Sequence, residues 1–342
     1  LWGQLSAQLG ALQSVAPGPV SEQGGFHLVD LPAAFDNQTL VLRVVLSDAL
    51  LVGGFFLRPA EPADYQPPAY VDESSLQEVE VTVGSDPWLL PGTLTLPQRE
   101  GRVPVIVLVH GSGPNDRDET VGGSRPFRDL AGGLASRGIA VLRYDKRTRV
   151  HGPRLPADIG LNEEVVDDAL LALDAARSRA EVDPSRVFLL GHSLGGMMAP
   201  EIGRRDGGLA GIAILAAPAR SFFEVLTSQL EYLASLETDP GSSPRAQLDS
   251  LISVVRRVEA GTLPPDQAVL GAPPRYWQEV AGVDPVATAR ELATPLLVLQ
   301  GGRDYQSTAQ DLSLWEEGLR GKEGFSARLY PALNHLFALG SG

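Results

Sequence analysis

The stretch VFLLGHSLGGMMAP, residues 187–200, places a serine between two glycines directly after four apolar residues. A short apolar run of this kind is typical of a strand that is buried on both faces. The pattern Gly191-x-Ser193-x-Gly195 then predicts a sharp turn from the strand into a helix, because small neighbours permit a strained backbone at the central residue. Such a turn lifts the serine hydroxyl above the carboxyl edge of the sheet, where open α/β sheets bind ligands.

A serine hydroxyl needs a base, and a carboxylate that orients the base, before it can act as a nucleophile. In strand-turn-helix sites of this kind the chain order is serine, acid, histidine. Of the five histidines, only His335 follows Ser193, and it lies in YPALNHLF after the last strand-like run. Asp304 follows the apolar run LLVLQG, whereas its rivals Asp311 and Glu316 fall inside the next predicted helix. We therefore predict Ser193 as the nucleophile, His335 as the base and Asp304 as the acid.

Two backbone N–H groups are predicted to form an oxyanion hole. The N–H of Leu194 lies at the expected helix start, where it points at developing negative charge. The second donor is expected in the loop VLVHGSGPNDRD, residues 107–118, from Ser112 or Gly113. Gly113 is also a candidate substrate contact. The alternative interpretation is that both segments are plain glycine-rich turns without chemistry.

Composition excludes several classes of function. The net charge of −14, from 28 basic and 42 acidic residues, opposes nucleic-acid binding, which needs a basic face. Cysteine is absent, which excludes disulfides, thiolate metal sites and a cysteine nucleophile. No apolar run approaches the roughly 18 residues that a membrane span needs. We expect a small-molecule ester substrate, with no cofactor, no metal ion and no membrane span.

Residues 1–60 are predicted to form a small α+β accessory domain. Leucines spaced by three or four residues favour an amphipathic helix over residues 1–14. Three β-rich runs follow, at residues 24–35, 39–47 and 52–59. A piece of this length buries a thin core, so we expect it to lean on its neighbouring domain, on missing upstream residues or on a second copy in a homodimer.

The rest of the chain predicts an α/β fold. The proline-rich residues 61–74 read as a linker. In residues 75–342 continuous apolar strands alternate with amphipathic helices, which predicts a mostly parallel central sheet flanked by helices. Residues 219–289 show helical patterns and no convincing strand, so they are predicted to form an inserted helical cap.

Three features outside the triad have competing interpretations. The cations of RYDKRTR, residues 143–149, either line the mouth of the site or belong to a structural Asp–Arg pair, which is the favoured interpretation. In PPRYWQEV, Tyr276 and Trp277 either form an apolar wall for an acyl chain or pack within the cap. His110 is interpreted as a structural loop residue and His192 as a packing residue.

Five short segments together resemble the α/β-hydrolase superfamily: HGSG (110–113), RYDKR (143–147), GHSLGG (191–196), GGRD (301–304) and LNHLF (333–337). More narrowly, the chain is similar to bacterial serine esterases related to dienelactone hydrolases, which carry a small extra domain before the hydrolase. The resemblance covers residues 75–340 and, in pattern, residues 1–60. It implies Ser193, Asp304 and His335 as the triad. It also implies Leu194 and Ser112 as the oxyanion donors.

The expected function is that of a serine carboxylesterase that hydrolyses short-chain acyl esters through an acyl-enzyme. Serine replaces the cysteine of dienelactone hydrolases proper, so the resemblance does not imply their substrate. The alternatives are a thioesterase, acyltransferase or peptidase with the same triad, and a non-catalytic binding protein on the same fold. Because the chain begins with Leu1 rather than Met, we expect that upstream residues are missing. The resemblance implies export from a bacterial cell.

Overall fold

The computed structural model describes residues 11–340, apart from residues 19, 24–25, 37–38, 48, 50, 60–64, 238–242 and 263–267. The chain divides into two compact units, which are Leu1–Gln66 with Val121–Ser124, and Pro67–Thr120 with Arg125–Gly342. Each unit has its own sheet. None of the described helices is long and apolar enough to cross a bilayer.

The described part of the first unit is a five-stranded antiparallel sheet. Its strands are β1 (Leu12–Val15), β2 (Val20–Gln23), β3 (Phe26–Phe35), β4 (Thr39–Ser47) and β5 (Val52–Pro59). The long strand β3 pairs with β1, β2 and β4, and β5 pairs with β4 at the edge. The three β-rich runs expected from the sequence are thereby confirmed.

The helix expected over residues 1–14 is wrong over its last residues. Residues 1–10 lie outside the described part of the chain, and the next residues form β1. Leu12 lies opposite Phe35, and the backbone N–H of Ala16 donates to the carbonyl oxygen of Pro32 at 2.8 Å. Helix propensity is a weak local preference, and pairing with β3 outweighs it here.

The second unit is built on an eight-stranded sheet. Its strands are β6 (Leu76–Val83), β7 (Leu90–Pro97), β8 (Val103–Val109), β9 (Ala140–Tyr144), β10 (Val182–His192), β11 (Gly211–Leu215), β12 (Leu296–Gly301) and β13 (Phe325–Tyr330). Their order is β13-β12-β11-β10-β8-β9-β7-β6. Strands β8 to β13 run parallel to one another, and β7 runs antiparallel to both β9 and β6. The mostly parallel sheet expected from the sequence is confirmed.

Nine described α-helices belong to this unit. They are α1 (Pro126–Ala135), α2 (Arg147–His151), α3 (Asp167–Arg177), α4 (Leu194–Asp206), α5 (Phe222–Leu236), α6 (Ser243–Glu259), α7 (Pro274–Ala281), α8 (Pro285–Glu291) and α9 (Ala309–Gly318). A π-helical turn, Asn162–Val166, precedes α3. Neighbouring strand residues Val107 and Leu108 belong to two separate buried clusters, one with α3, α4 and α9 and one with α1. The sheet is therefore buried on both faces, which explains its continuous apolar strands.

The segment between β11 and β12 is helical, as expected for residues 219–289. Residues 219–289 hold α5, α6, α7 and the start of α8, and their described residues form no named strand. Phe223, Val255 and Trp277 form a small buried cluster of their own within it. That this helical insertion closes over the site as a cap stays a prediction.

Candidate active site

The serine lies on the predicted sharp turn between β10 and α4. Ser193 has φ 52° and ψ −118°, a conformation that costs a residue with a side chain about 1–3 kcal/mol. A Cβ atom on Gly191 would lie 2.2 Å from the carbonyl oxygen of Gly195, and one on Gly195 would lie 2.3 Å from that of Val109. A side chain at either position would therefore clash with the backbone, so both residues must be glycine. The Ser193 side chain makes no capping hydrogen bond to α4, so the helix does not occupy its hydroxyl.

The acid and the base meet in a buried hydrogen bond. His335 Nδ1 lies 2.7 Å from Asp304 Oδ2, and both residues are buried. The other carboxylate oxygen, Oδ1, accepts from the backbone N–H groups of Gln306 and Ser307 at 2.8 and 3.0 Å. The side chain of Gln300 also donates to Oδ2, at 3.1 Å. Because a carboxylate only accepts, His335 donates its Nδ1–H, and in the neutral form of the ring Nε2 then carries the lone pair.

The loops that carry the acid and the base are packed against each other. The backbone N–H of Arg303 donates to the carbonyl oxygen of Leu333 at 2.9 Å, and a Cβ on Gly301 would lie 2.6 Å from the carbonyl oxygens of Leu333 and Asn334. The hydrogen bonds of these described loops do not include one from Ser193 to His335. Catalytic hydrogen bonds of this kind often tighten only in the complex with substrate.

The two predicted oxyanion donors lie after β8 and at the start of α4. Within the part of the chain that the structure describes, the backbone N–H groups of Ser112 and Leu194 donate to no carbonyl oxygen. Ser112 and Gly113 are exposed, and Gly113 has φ 93°, which suits glycine. A Cβ atom on Gly111 would lie 3.1 Å from Ser193 Cβ, so this loop passes directly beside the serine. The roles of these donors stay predictions.

A buried carboxylate that the sequence analysis missed supports the oxyanion loop. Glu119 is 3 % exposed, and its Oε1 accepts the backbone N–H of Gly111 at 2.6 Å. Its Oε2 lies 3.0 Å from His192 Nδ1, close enough for an ion pair although the geometry is not that of a hydrogen bond. His192 Nε2 lies 3.0 Å from the carbonyl oxygen of His335. His192 therefore links the loop of Gly111, through Glu119, to the loop of His335. The sequence predicted only a packing role for this residue.

Burial and pairing act in opposite directions on this pair. Burial alone would raise the pKa of Glu119, but the facing His192, His110 and the Gly111 N–H hold that pKa below its usual value. Burial alone would lower the pKa of His192, but the charge of Glu119 raises it above its usual value. Both shifts favour the charged forms, an imidazolium that faces a carboxylate. No signal in the acidic stretch around Glu119 distinguishes it from the exposed acids of an ordinary loop.

His110 behaves as the structural residue that the sequence analysis expected. Its ring packs on Phe127 and Tyr144, with centroids 5.2 and 5.3 Å away. Burial lowers the pKa of His110 to about 4, so the ring stays neutral at physiological pH.

Three cations of residues 143–149 are engaged in structural contacts, whereas Arg149 is exposed. Lys146 Nζ donates to the carbonyl oxygen of Gly111 at 2.9 Å and lies 3.0 Å from Glu164 Oε1. Arg147 pairs with the buried Asp168. Asp145 pairs with Arg117, and Arg143 pairs with Glu78 and Asp118. The favoured interpretation of a loop fixed by ion pairs agrees with these contacts, although the partners lie in other segments.

The rival acid and the two aromatic candidates have structural partners. Asp311 is fully buried, pairs with Arg220 and caps α9 through the backbone N–H of Thr308. Trp277 packs in the insertion cluster and donates its Nε1–H to the carbonyl oxygen of Val269 at 3.2 Å. Tyr276 packs between that cluster and the main core, and burial raises the pKa of its hydroxyl. An additional role of this pair as an acyl wall stays a prediction.

The described residues contain no group of three or more His, Asp or Glu side chains that could hold a metal ion.

Comparison with known proteins identifies the family of the chain. The family model described as the alpha/beta hydrolase family matches residues 106–341. Esterase EstD from Thermotoga maritima is 38 % identical over 342 residues, which is all of this chain and 80 % of that protein.

Two solved structures share the fold at low sequence identity. Est1E from Butyrivibrio proteoclasticus matches with a TM-score of 0.52 and 15 % identity, over 75 % of this chain and 90 % of that one. The acylaminoacyl peptidase of Pyrococcus horikoshii matches with a TM-score of 0.53 and 16 % identity, over 95 % of this chain and 52 % of that one. The family model matches residues 106–341, and an esterase is 38 % identical over the whole of this chain. The chain therefore belongs to the alpha/beta hydrolase family.

Proposed function

We propose that this hydrolase is a serine carboxylesterase that cleaves short-chain acyl esters through an acyl-enzyme on Ser193. The observation that carries the proposal is the buried hydrogen bond between His335 Nδ1 and Asp304 Oδ2, at the sheet edge that also presents Ser193. The full-length likeness to an esterase supports the ester class of substrate. The short acyl length rests on the resemblance to bacterial serine esterases.

The first half of the reaction acylates the enzyme. His335 Nε2 takes the hydroxyl proton of Ser193 as Oγ attacks the ester carbonyl carbon. The N–H groups of Leu194 and Ser112 bind the negative oxygen of the tetrahedral intermediate. The carbon–alkoxide bond then breaks, and His335 gives its proton to the leaving alcohol. Asp304 stabilises the imidazolium during both proton transfers.

The second half repeats these steps with water. His335 takes a proton from a water molecule, whose oxygen attacks the acyl carbonyl carbon. The tetrahedral intermediate collapses, and the proton returns to Ser193 Oγ as the carboxylic acid leaves. The reaction consumes one water and needs no oxidant, reductant or metal ion.

The test is a panel of nitrophenyl esters with acyl chains of two to twelve carbons, together with matched thioesters and anilides. We expect the highest kcat/KM on the shorter esters. We expect Ser193→Ala to lower kcat by about 10⁴-fold or more with the fold retained, as loss of the nucleophile does in other serine hydrolases.

Each other outcome of the panel points to a different function. Preference for thioesters would replace the proposal with a thioesterase, and preference for anilides with a peptidase. Turnover only with an added alcohol acceptor would indicate an acyltransferase. A folded wild-type protein without turnover on any substrate would favour the non-catalytic binding protein.

A further inference from the structure

One peptide group in the oxyanion loop is held from two sides by side chains. The Gly111 carbonyl oxygen accepts a hydrogen bond from Lys146 Nζ at 2.9 Å and another from Asn115 Nδ2 at 3.1 Å. The preceding peptide is fixed as well, because the Gly111 N–H donates to Glu119 Oε1 at 2.6 Å. Lys146 and Glu119 are too far from Gly111 in the sequence to contact it through a local turn, so folding brings them there.

The same peptide carries the proposed oxyanion donor. The carbonyl group of Gly111 and the N–H of Ser112 belong to one planar unit, and the bond between them is trans. In a trans peptide the N–H points away from the carbonyl oxygen. A cation that holds the carbonyl oxygen on one side therefore fixes the direction of the Ser112 N–H on the other.

The position of Lys146 allows it to fix and polarise this peptide. It is 2 % exposed, and its partners Glu164 Oε1 and the Gly111 oxygen lie 3.0 and 2.9 Å from Nζ. Hydrogen bonds from an ionised donor are stronger than neutral ones, and they polarise the peptide that accepts them. Polarisation draws electron density from the amide nitrogen toward the carbonyl oxygen, which makes the N–H a better donor.

We propose that Lys146 is a positioning residue that orients and polarises the Gly111–Ser112 peptide so that the Ser112 N–H stabilises the oxyanion. This inference rests on the proposed function, because it assigns Ser112 as the oxyanion donor. Lys146 touches no reacting atom itself. Its effect is expected only where negative charge develops on the substrate oxygen, in the transition state and in tetrahedral adducts.

The main test is Lys146→Met, which keeps most of the length of the side chain and removes the charge. Removal of one oxyanion donor costs about 10²–10³-fold in kcat, so loss of its support should cost about tenfold or more. We expect kcat per active site, titrated with a fluorophosphonate, to fall by that factor while KM changes less than about twofold. The inhibition constant of a trifluoromethyl ketone, which forms a tetrahedral oxyanion on the serine, should rise by the same factor.

Three further variants keep the test decisive. Arg149→Met removes an exposed cation of the same segment and should leave kcat, KM and ketone binding unchanged. If Lys146→Met does not fold, Lys146→Met/Glu164→Gln also removes the carboxylate that would be left unpaired. Asn115→Ala removes the second donor to Gly111 from a partly exposed loop, and should lower kcat a few-fold at constant KM.

The outcomes separate this inference from the proposed function. If the wild type hydrolyses esters and Ser193→Ala does not, wild-type kcat and ketone affinity in Lys146→Met, or in the double variant, would overturn the role of Lys146 alone. A fall in the titrated fraction of active sites, with unchanged turnover per site, would show a merely structural role. A wild-type protein without ester turnover would instead refute the proposed function.

Discussion

The two proposed oxyanion donors are held by different means. The N–H of Leu194 is fixed by the backbone itself, because the turn at Ser193 ends β10 and starts α4, and the flanking glycines leave no alternative geometry. The N–H of Ser112 is fixed by side chains, those of Glu119, Lys146 and the nearby Asn115. Ser112 itself and Gly113 are exposed.

This difference determines how each half of the site should respond to mutation. A backbone-fixed donor fails only when the backbone can no longer adopt its turn, and then the nucleophile and the fold fail with it. A donor fixed by side chains can be weakened in steps, because each supporting contact can be removed separately. We expect large, all-or-none effects at the turn and smaller, graded effects at the loop.

The largest effect is expected from Gly195→Ala. The new Cβ would lie 2.3 and 2.5 Å from the carbonyl oxygens of Val109 and His110, which are backbone atoms that cannot rotate away. We expect loss of soluble folded protein or of all esterase turnover. The matched control is Gly207→Ala at the other end of α4, where nothing lies within 4 Å and only the positive φ of 68° is strained. The control should cost about 1 kcal/mol and keep full activity. Activity in folded Gly195→Ala would refute the backbone argument.

Asp304→Asn should have the second largest effect on turnover. It extends the comparison of backbone-fixed and side-chain-fixed groups to the loop that carries the acid. Two backbone N–H groups hold one carboxylate oxygen, so the loop should stay in place while His335 loses the partner that sets its tautomer. We expect kcat to fall by about 10⁴-fold with little change in stability. Asp311→Asn, at the rival acid, should lower the free energy of unfolding but leave turnover per folded molecule unchanged. The reverse pattern would reassign the acid to Asp311.

Glu119→Gln should give a smaller effect that depends on pH. The amide oxygen can still accept the Gly111 N–H, so kcat should fall by about tenfold rather than be lost. Removal of one partner from a buried ion pair should lower the free energy of unfolding by about 3 kcal/mol.

The pH dependence of that loss follows from the two pKa shifts. The lowered pKa of Glu119 gives stability that is present above its ordinary value of 4.5 and lost as the pH falls through the lowered pKa. The raised pKa of His192 gives stability that is fully present below 6.5 and lost as the pH rises through the raised pKa. Urea unfolding should therefore show the largest difference from wild type between pH 4.5 and 6.5, and a smaller one at alkaline pH. A difference that grows with pH would contradict the ion pair.

The backbone-fixed parts of the site were the ones that the sequence predicted. The turn at Ser193 follows from two glycines and a buried strand, and the alternation of apolar strands and helices predicted the parallel sheet correctly. The contact of Asp304 with His335 followed from chain order and strand ends. These features rest on local pattern, which a single sequence contains.

The side chains that support the Ser112 donor were missed, because their contacts are not a local pattern. Glu119 stands in an acidic loop that reads as solvated, and its contact with Gly111 is created only by folding. Lys146 could be placed near a strand end, but not on one particular carbonyl oxygen. The helix expected over residues 1–14 failed at its end because pairing with β3 is likewise a property of the fold.

The central claim is that Ser193 is an activated nucleophile in a formed oxyanion hole. Its most direct test is the intact mass of the protein after incubation with a fluorophosphonate, followed by peptide mapping, with Ser193→Ala in parallel. We predict one adduct per wild-type chain, located on Ser193, and none on the folded alanine variant. An adduct on another residue, an adduct that persists in the alanine variant, or no adduct on folded wild-type protein that still hydrolyses esters would contradict the claim.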